Sequence, residues 1–368
     1  MRFAALFPVL ALALLGASVP PGFVLEPIAH VDGARELTVA PNGDLFVGTS
    51  GNTIAIVPDA QGHPEPAHVF ATLPDHPVAG VTLVDGWLYV GAQFGVYRIP
   101  YHLGDRTARG KAEKIASVRT SGVSRDHSTT SVALTHGELY ASVGSSCNVC
   151  DPELDATRAS IQHMAPDGSG MTPRAVDIRN AIALAVQPNT EDLWAGVAGR
   201  DDLEHGQPYE IFDDVSAHPG VPDYGWRTCY DDHRPINGAS CAGVVISQVV
   251  FPAYETPIGA VFYPTAALGR YAFPTAYRGG AFVALHGSWH QPPVPPRVAF
   301  VPFSGAHPAK PVDWNDPSAQ WHEFLSACQA PDGSRTCRPT GVAVGPDGSL
   351  FISEDAGGTI WRVRPAGR

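Results

Sequence analysis

The chain has 368 residues, 44% of them hydrophobic and only 16% charged, a balance that argues against disorder and allows a large core. Its net charge of -12, with lysine only at Lys111, Lys114 and Lys310, argues against a basic surface for nucleic acid or anionic membrane. Glycine (38) and proline (35) recur throughout without a collagen-like period, as in a turn-rich globular protein.

The N-terminus reads M-R followed by F-A-A-L-F-P-V-L-A-L-A-L-L-G-A, a positive start, an apolar run and a small-residue end near Ala17. That is the pattern of a secretory signal, too short and too proline-interrupted for a comfortable membrane span. We expect residues 1–22 to be a signal peptide and short leader. The mature protein is expected to be periplasmic or secreted, without a membrane span.

Past that segment a strand–turn–strand unit recurs. It runs through Leu37–Thr49, Val81–Ala92, Ser131–Gly144, Ile182–Val197, a weaker copy at Tyr277–Gly287, and Gly341–Asp355. The turns are P-N-G, V-D-G, T-H-G and P-D-G, which supply the positive φ that tight hairpins need. Copies lie roughly 45 to 60 residues apart, with one gap of about 95, a repeat length suited to blades of a propeller. The fold class is therefore all-β, a six-bladed β-propeller over residues 23–368, with an insertion around 208–276. A jelly roll or paired sandwiches would not explain the repeated unit.

The six cysteines fall in three local pairs, Cys147/Cys150, Cys229/Cys241 and Cys328/Cys337. Pairing neighbour with neighbour is the economical arrangement in an oxidising compartment. A thiol metal site on C-N-V-C would need a second such pair, and the chain has none.

In a propeller, connecting loops converge on one face around the axis. The polar motifs sit at such blade edges: S-R-D-H (Ser124–His127), I-R-N (Ile178–Asn180), G-R-D-D-L (Gly199–Leu203), H-G-S-W (His286–Trp289) and C-R-P-T (Cys337–Thr340). His127 has the residue type of a general base near neutrality, with Arg125 and Asp126 beside it. Arg179 and Arg338 could each clamp a carboxylate, or could pair with acidic residues to hold blades together. Asp201, Asp202, Glu204, Asp213 and Asp214 could supply oxygen ligands to calcium, although no D-x-D-x-D-G loop occurs. The chain has no P-loop, Rossmann fingerprint, G-x-S-x-G elbow or H-E-x-x-H.

Taken together, His127, S-V-G-S-S-C-N-V-C, I-R-N, G-R-D-D-L, D-Y-G-W (Asp223–Trp226), P-I-G-A-V-F-Y (Pro257–Tyr263), Y-R-G-G-A-F-V-A-L-H-G-S-W and R-P-T-G-V-A-V-G-P-D-G-S-L resemble the glucose/sorbosone dehydrogenase family. The resemblance runs from roughly residue 23 to residue 365 and is strongest to the sorbosone-dehydrogenase-like branch. It implies an exported six-bladed propeller using pyrroloquinoline quinone (PQQ) and Ca²⁺. His127 then matches the base that takes the hydroxyl proton of a sugar as hydride moves to the quinone. Arg179 and Asn180 match the pair at the quinone oxygens, and Arg338 an arginine near the cofactor carboxylates. Trp289 and His290 fall at cofactor-binding positions, and backbone carbonyls of Gly199 and Arg200 in the calcium loop. Electrons would pass to an external acceptor such as a cytochrome or quinone. The chain departs from the pattern at His290-Gln291, where relatives carry N-R, and at Asp177-Ile178, where relatives often carry G-L. A non-catalytic binding propeller is the alternative, followed by a metal-dependent lactonase, which would need carboxylate and Asn ligands deep in the central channel.

Overall fold

The structure, a computed structural model, describes residues 16–121, 126–201, 203, 206–266, 268–290 and 293–367. Most of the expected signal segment, together with Ser124, Arg125, Asp202, Glu204 and Gln291, lies outside the described residues. Six four-stranded antiparallel sheets surround a central axis, which makes the chain a six-bladed β-propeller. Among the described residues the only helical pieces are two short 3₁₀ turns, Val215–Ala217 and Thr275–Tyr277.

Blade one is built from Ala34–Val39, Leu45–Thr49, Thr53–Val57 and His68–Thr72, counted outward from the axis. Blades two to four repeat that plan, starting at Gly80–Val84, Val132–Thr135 and Ala181–Val186. Blade five runs Pro257–Phe262, Ala281–Leu285, Arg297–Val301 and His322–Leu325. Blade six takes Pro339–Val344, Leu350–Glu354 and Thr359–Pro365 from the C-terminus and closes with Phe23–His30 from the N-terminus. That last pairing matches Phe23 to Pro365 and His30 to Thr359, so the two ends of the chain lock the ring together.

The hairpin turns behave as their residues dictate. Asp85-Gly86 and His136-Gly137 each place two consecutive residues at positive φ, the two-residue turn whose twist matches the strands it joins. The second strands Leu45–Thr49, Leu193–Val197, Ala281–Leu285 and Leu350–Glu354 are buried at every position, because a neighbouring blade covers each face. The core is accordingly divided into six apolar clusters, each between adjacent blades. Phe46 and Phe70 meet Leu88 and Tyr97 between blades one and two, and Trp194 and Phe212 meet Phe262 and Val283 between four and five.

The segment expected as one insertion, around 208–276, resolves differently. It supplies two strands of blade four, Glu210–Asp214 and Val249–Phe251, and the inner strand of blade five. The extra chain is the loop between residues 215 and 248, closed by Cys229–Cys241 and bridged to blade three through Val176 and Asp223. The strands were hidden because Glu210–Asp214 carries three carboxylates yet is buried throughout, which no alternation of polar and apolar residues would reveal.

Candidate active site

Every second strand of a blade, and every crossing from one blade to the next, ends on the same face of the ring. His127 lies on the crossing into blade three, Arg179-Asn180 on the crossing into blade four, and Gly199–Asp201 just beyond Leu193–Val197. Tyr254 and Thr256 precede blade five's inner strand, His286–His290 follow Ala281–Leu285, and Arg338 precedes Pro339–Val344. Apart from Arg200, these positions line one open cleft of about 200 Å³. His127, Arg179, Asn180, Gly199, Trp289, His290 and Arg338, singled out from sequence, all face it. A separate channel along the axis, about 290 Å³, is lined by the inner strands of all six blades.

His127 is held with unusual firmness. Its backbone sits at φ 47°, and its carbonyl accepts from Arg119 Nη2 at 2.6 Å. Arg119 and Arg158 are both 4% exposed and donate to a series of loop carbonyls, including Thr129 and Gly144. The ring Nδ1 lies 3.0 Å from both the carbonyl and the hydroxyl oxygen of Ser145. Ser145 Oγ already donates to the Cys147 carbonyl at 2.7 Å, so both of its oxygens can only accept from the ring. This assigns the imidazole proton to Nδ1 and leaves Nε2 with a lone pair. Burial, then the Arg179 guanidinium, push the ring down to about 3, so it is neutral at physiological pH.

Gly144 explains how His127 and Asn180 fit side by side. A Cβ there would stand 2.4 Å from both Asn180 Oδ1 and His127 Cβ. Only a residue without a side chain permits the approach.

Arg179 Nη2 pairs with Asp201 Oδ2 at 2.9 Å, and the guanidinium also reaches the carbonyls of Asn148 and Ala198. Asn148 in turn fixes Asp201: its Oδ1 accepts from the Asp201 N–H at 2.8 Å, and its Nδ2 donates to the Asp201 carbonyl at 3.2 Å. Its own carbonyl accepts from Trp226 Nε1 at 2.9 Å. The C-N-V-C loop thus supports both sides of the cleft, His127 through Cys147 and Ser145, and Arg179 through Asn148. The sequence marks this loop as a disulfide and carries no signal for Asn148. The disulfide is present, as are Cys229–Cys241 and Cys328–Cys337.

Glu210 was also missed. It is 3% exposed and accepts from Gly199 N at 2.8 Å and Tyr254 N at 3.0 Å, so it braces two cleft loops. Burial pushes its carboxyl up to about 8. The Tyr254 ring stacks on His290 at 3.6 Å, and His290 on Trp289 at 4.1 Å, which leaves Trp289 as a 73% exposed indole at the rim.

On the opposite wall Asp355 gathers three partners. Arg35 Nη1 donates to it at 3.0 Å, His286 Nε2 lies 3.1–3.2 Å from its two oxygens, and Arg338 Nη1 is 4.0 Å away. Arg338 Nε and His290 Nε2, both buried, have no hydrogen-bond partner among the described residues. The second of these sits 3.4 Å from Asp201 Oδ1. Buried polar atoms left open on a cleft wall are what a bound polar ligand would satisfy.

Not every expected residue faces the cleft. The Arg200 side chain turns away, donating to the Arg227 carbonyl at 3.4 Å and lining a small neighbouring cavity with Asp177 and Asp231. Asp213 is tied to His218 and Tyr224, and it and Asp214 lie in the buried strand of blade four. Among the described residues no three His, Cys, Asp or Glu side chains group as metal ligands.

A family model described as TrAA12-like matches residues 221–366. The PQQ domain of pyranose dehydrogenase from Coprinopsis cinerea, in its holo form, superposes with a TM-score of 0.78. It is 18% identical, with 95% of this chain and 97% of that one covered. A PQQ-bound aldose sugar dehydrogenase from Streptomyces coelicolor gives a TM-score of 0.63 at 17% identity, covering 94% of this chain and 99% of the other. The partial family match and the superposed structures agree with the resemblance read from the sequence. At these identities the solved structures establish the fold. An uncharacterised protein of Borreliella burgdorferi is 23% identical over 363 residues, 94% of this chain and 90% of its own length.

Proposed function

We propose that the protein is a PQQ-dependent, calcium-assisted dehydrogenase of sugars or sugar aldehydes. The observation that carries this is a neutral histidine with a bare Nε2, in one cleft with Arg179, Asn180 and Arg338. PQQ is a planar quinone bearing three carboxylates. The buried Arg179, the half-buried Arg338 with its unpartnered Nε, and the Tyr254–His290–Trp289 stack are the chemistry that would hold such a group. The Gly199 and Arg200 carbonyls are the proposed contribution to a calcium ion. When bound, the quinone supplies a two-electron acceptor for hydride.

The chain's own part follows from its geometry. His127 Nε2 accepts the proton of the substrate hydroxyl as the carbon loses hydride. Ser145 keeps the proton on Nδ1, so Nε2 is always the acceptor. Arg179 is neutralised by Asp201 on one side and presents its remaining cationic edge to an oxyanion. Trp289 offers an apolar face to a pyranose ring at the rim. We further propose export to a periplasmic or extracellular compartment, where three disulfides persist, and an external electron acceptor.

The test is a panel of aldoses with a redox dye, using protein loaded with calcium and PQQ. Dye reduction that His127→Ala abolishes, at unchanged melting temperature, supports the reading. Equal activity in the variant overturns the assignment of the base.

A further inference from the structure

The cleft holds a third histidine, which the mechanism above does not use. His286 is 7% exposed, lines the wall next to Arg338, and ends the fully buried strand Ala281–Leu285. Its backbone N–H donates to the Thr256 carbonyl at 3.0 Å, and the next residue, Gly287, turns at φ 64° where a Cβ would strike the Val294 carbonyl. The ring is therefore placed by rigid backbone rather than by a loose loop.

Its protonation is set by what surrounds it. Nε2 lies within 3.2 Å of both Asp355 oxygens, and a carboxylate can only accept, so the ring proton sits on Nε2. Asp355 is at the same time paired with Arg35 and close to Arg338, so its negative charge is already balanced. Burial, with those arginines adding to it, pushes His286 down to about 4 although Asp355 favours the charged form. The ring is neutral, and its other nitrogen, Nδ1, is an acceptor.

An acceptor beside an anion-binding arginine is a specific pairing. A simple dicarboxylate would gain nothing from it, since it has no hydrogen to offer. PQQ carries a pyrrole N–H directly adjacent to one of its carboxylates. We propose that His286, oriented by Asp355, is a cofactor-reading residue whose Nδ1 accepts the pyrrole N–H of PQQ while Arg338 takes the neighbouring carboxylate. This rests on the cofactor reading above. Asp355 is then a positioning residue, acting through the tautomer it imposes, and Arg35 links the arrangement to the His127 loop through Thr129 Oγ1 at 3.1 Å.

The test uses the full chain with calcium and needs no turnover. Nitrogen-detected NMR of the imidazoles reads the tautomer directly, and calorimetric titration with PQQ reads affinity. In the wild type, His286 should show its proton on Nε2, and His286→Ala should weaken PQQ by about tenfold. Asp355→Asn is the sharper variant. Its amide N–H donates to Nε2, moves the ring proton to Nδ1 and turns the acceptor into a donor. It should therefore lose PQQ affinity at least as much as His286→Ala, with His286 still present and the protein still folded. His286→Gln, which keeps a carbonyl acceptor, should recover part of the loss. A proton on Nδ1 in the wild type, or a His286→Ala variant that binds PQQ as tightly as the wild type, overturns the inference. No PQQ binding by the wild type overturns the cofactor reading itself, and this inference with it.

Discussion

At the scale of single residues, the site depends on hydrogen bonds that fix protons as much as on the groups themselves. His127 carries its proton on Nδ1 because Ser145 has nothing to donate, and its depressed pKa keeps Nε2 open. Two expectations follow. His127→Ala should lower kcat by about 10² to 10⁴, the range for loss of a general base. In the wild type, the acid limb of kcat/KM should lie near the folded value of about 3 rather than near the 6.5 of an ordinary histidine. A limb at pH 6.5 would show that the ring titrates as an exposed imidazole. Gly144→Ala tests the packing beneath the base. Its methyl would meet Asn180 and His127 at 2.4 Å, so kcat/KM should fall about a hundredfold while melting shifts little. Wild-type kinetics in that variant would mean that the two side chains can move apart without consequence.

At the scale of elements, loops and strands divide the labour. The second strands are almost wholly buried and carry the sequence signal of the repeat, so all six are legible from apolar runs joined by P-D-G-type turns. The functional positions were legible because their motifs sit where those strands end. His127, Arg179, Asn180, Trp289, His290 and Arg338 line one cleft. What sequence could not reveal is support across blades. Asn148 reaches Asp201 over 53 positions, and Asp355 reaches Arg35 over 320, distances along the chain at which no periodicity speaks. Glu210 escaped notice because a buried carboxylate in a strand looks like a surface residue. The Arg200 side chain turns away from the cleft, a direction that its position in the motif does not reveal. Asn148→Ala removes both contacts to the Asp201 backbone, so calorimetry should show PQQ affinity reduced about fivefold to tenfold with the Cys147–Cys150 bond intact. Unchanged affinity would leave the loop as a scaffold with no hold on Asp201.

At the scale of the whole molecule, closure of blade six by Phe23–His30 makes the ring one cooperative unit, with Phe23 packed against Phe273, Tyr277 and Phe324. Buried carboxyls give that unit a characteristic response to pH. Burial raises Glu36 and Glu210 to about 8, and Asp231 and Glu255 to about 7. Each holds a proton in the folded state that it has already lost in the unfolded chain at neutral pH. A raised folded pKa means that stability is lost as pH rises toward and through that value. His127 and His286 act in the opposite sense, but only below about 6.5, where the unfolded imidazole would charge. Between pH 6.5 and 8.5 the carboxyls dominate, so the melting temperature should fall across that interval. A flat or rising profile would mean that these groups ionise without cost.

The most direct measurement is calorimetric titration of the calcium-loaded protein with PQQ, repeated without calcium and with Arg179→Ala. Calcium-dependent, saturable binding that the substitution weakens by about tenfold to a hundredfold is the expected result, because a buried charge-assisted contact is lost. Absence of binding at high micromolar PQQ would contradict the dehydrogenase reading and leave a propeller whose cleft serves another ligand.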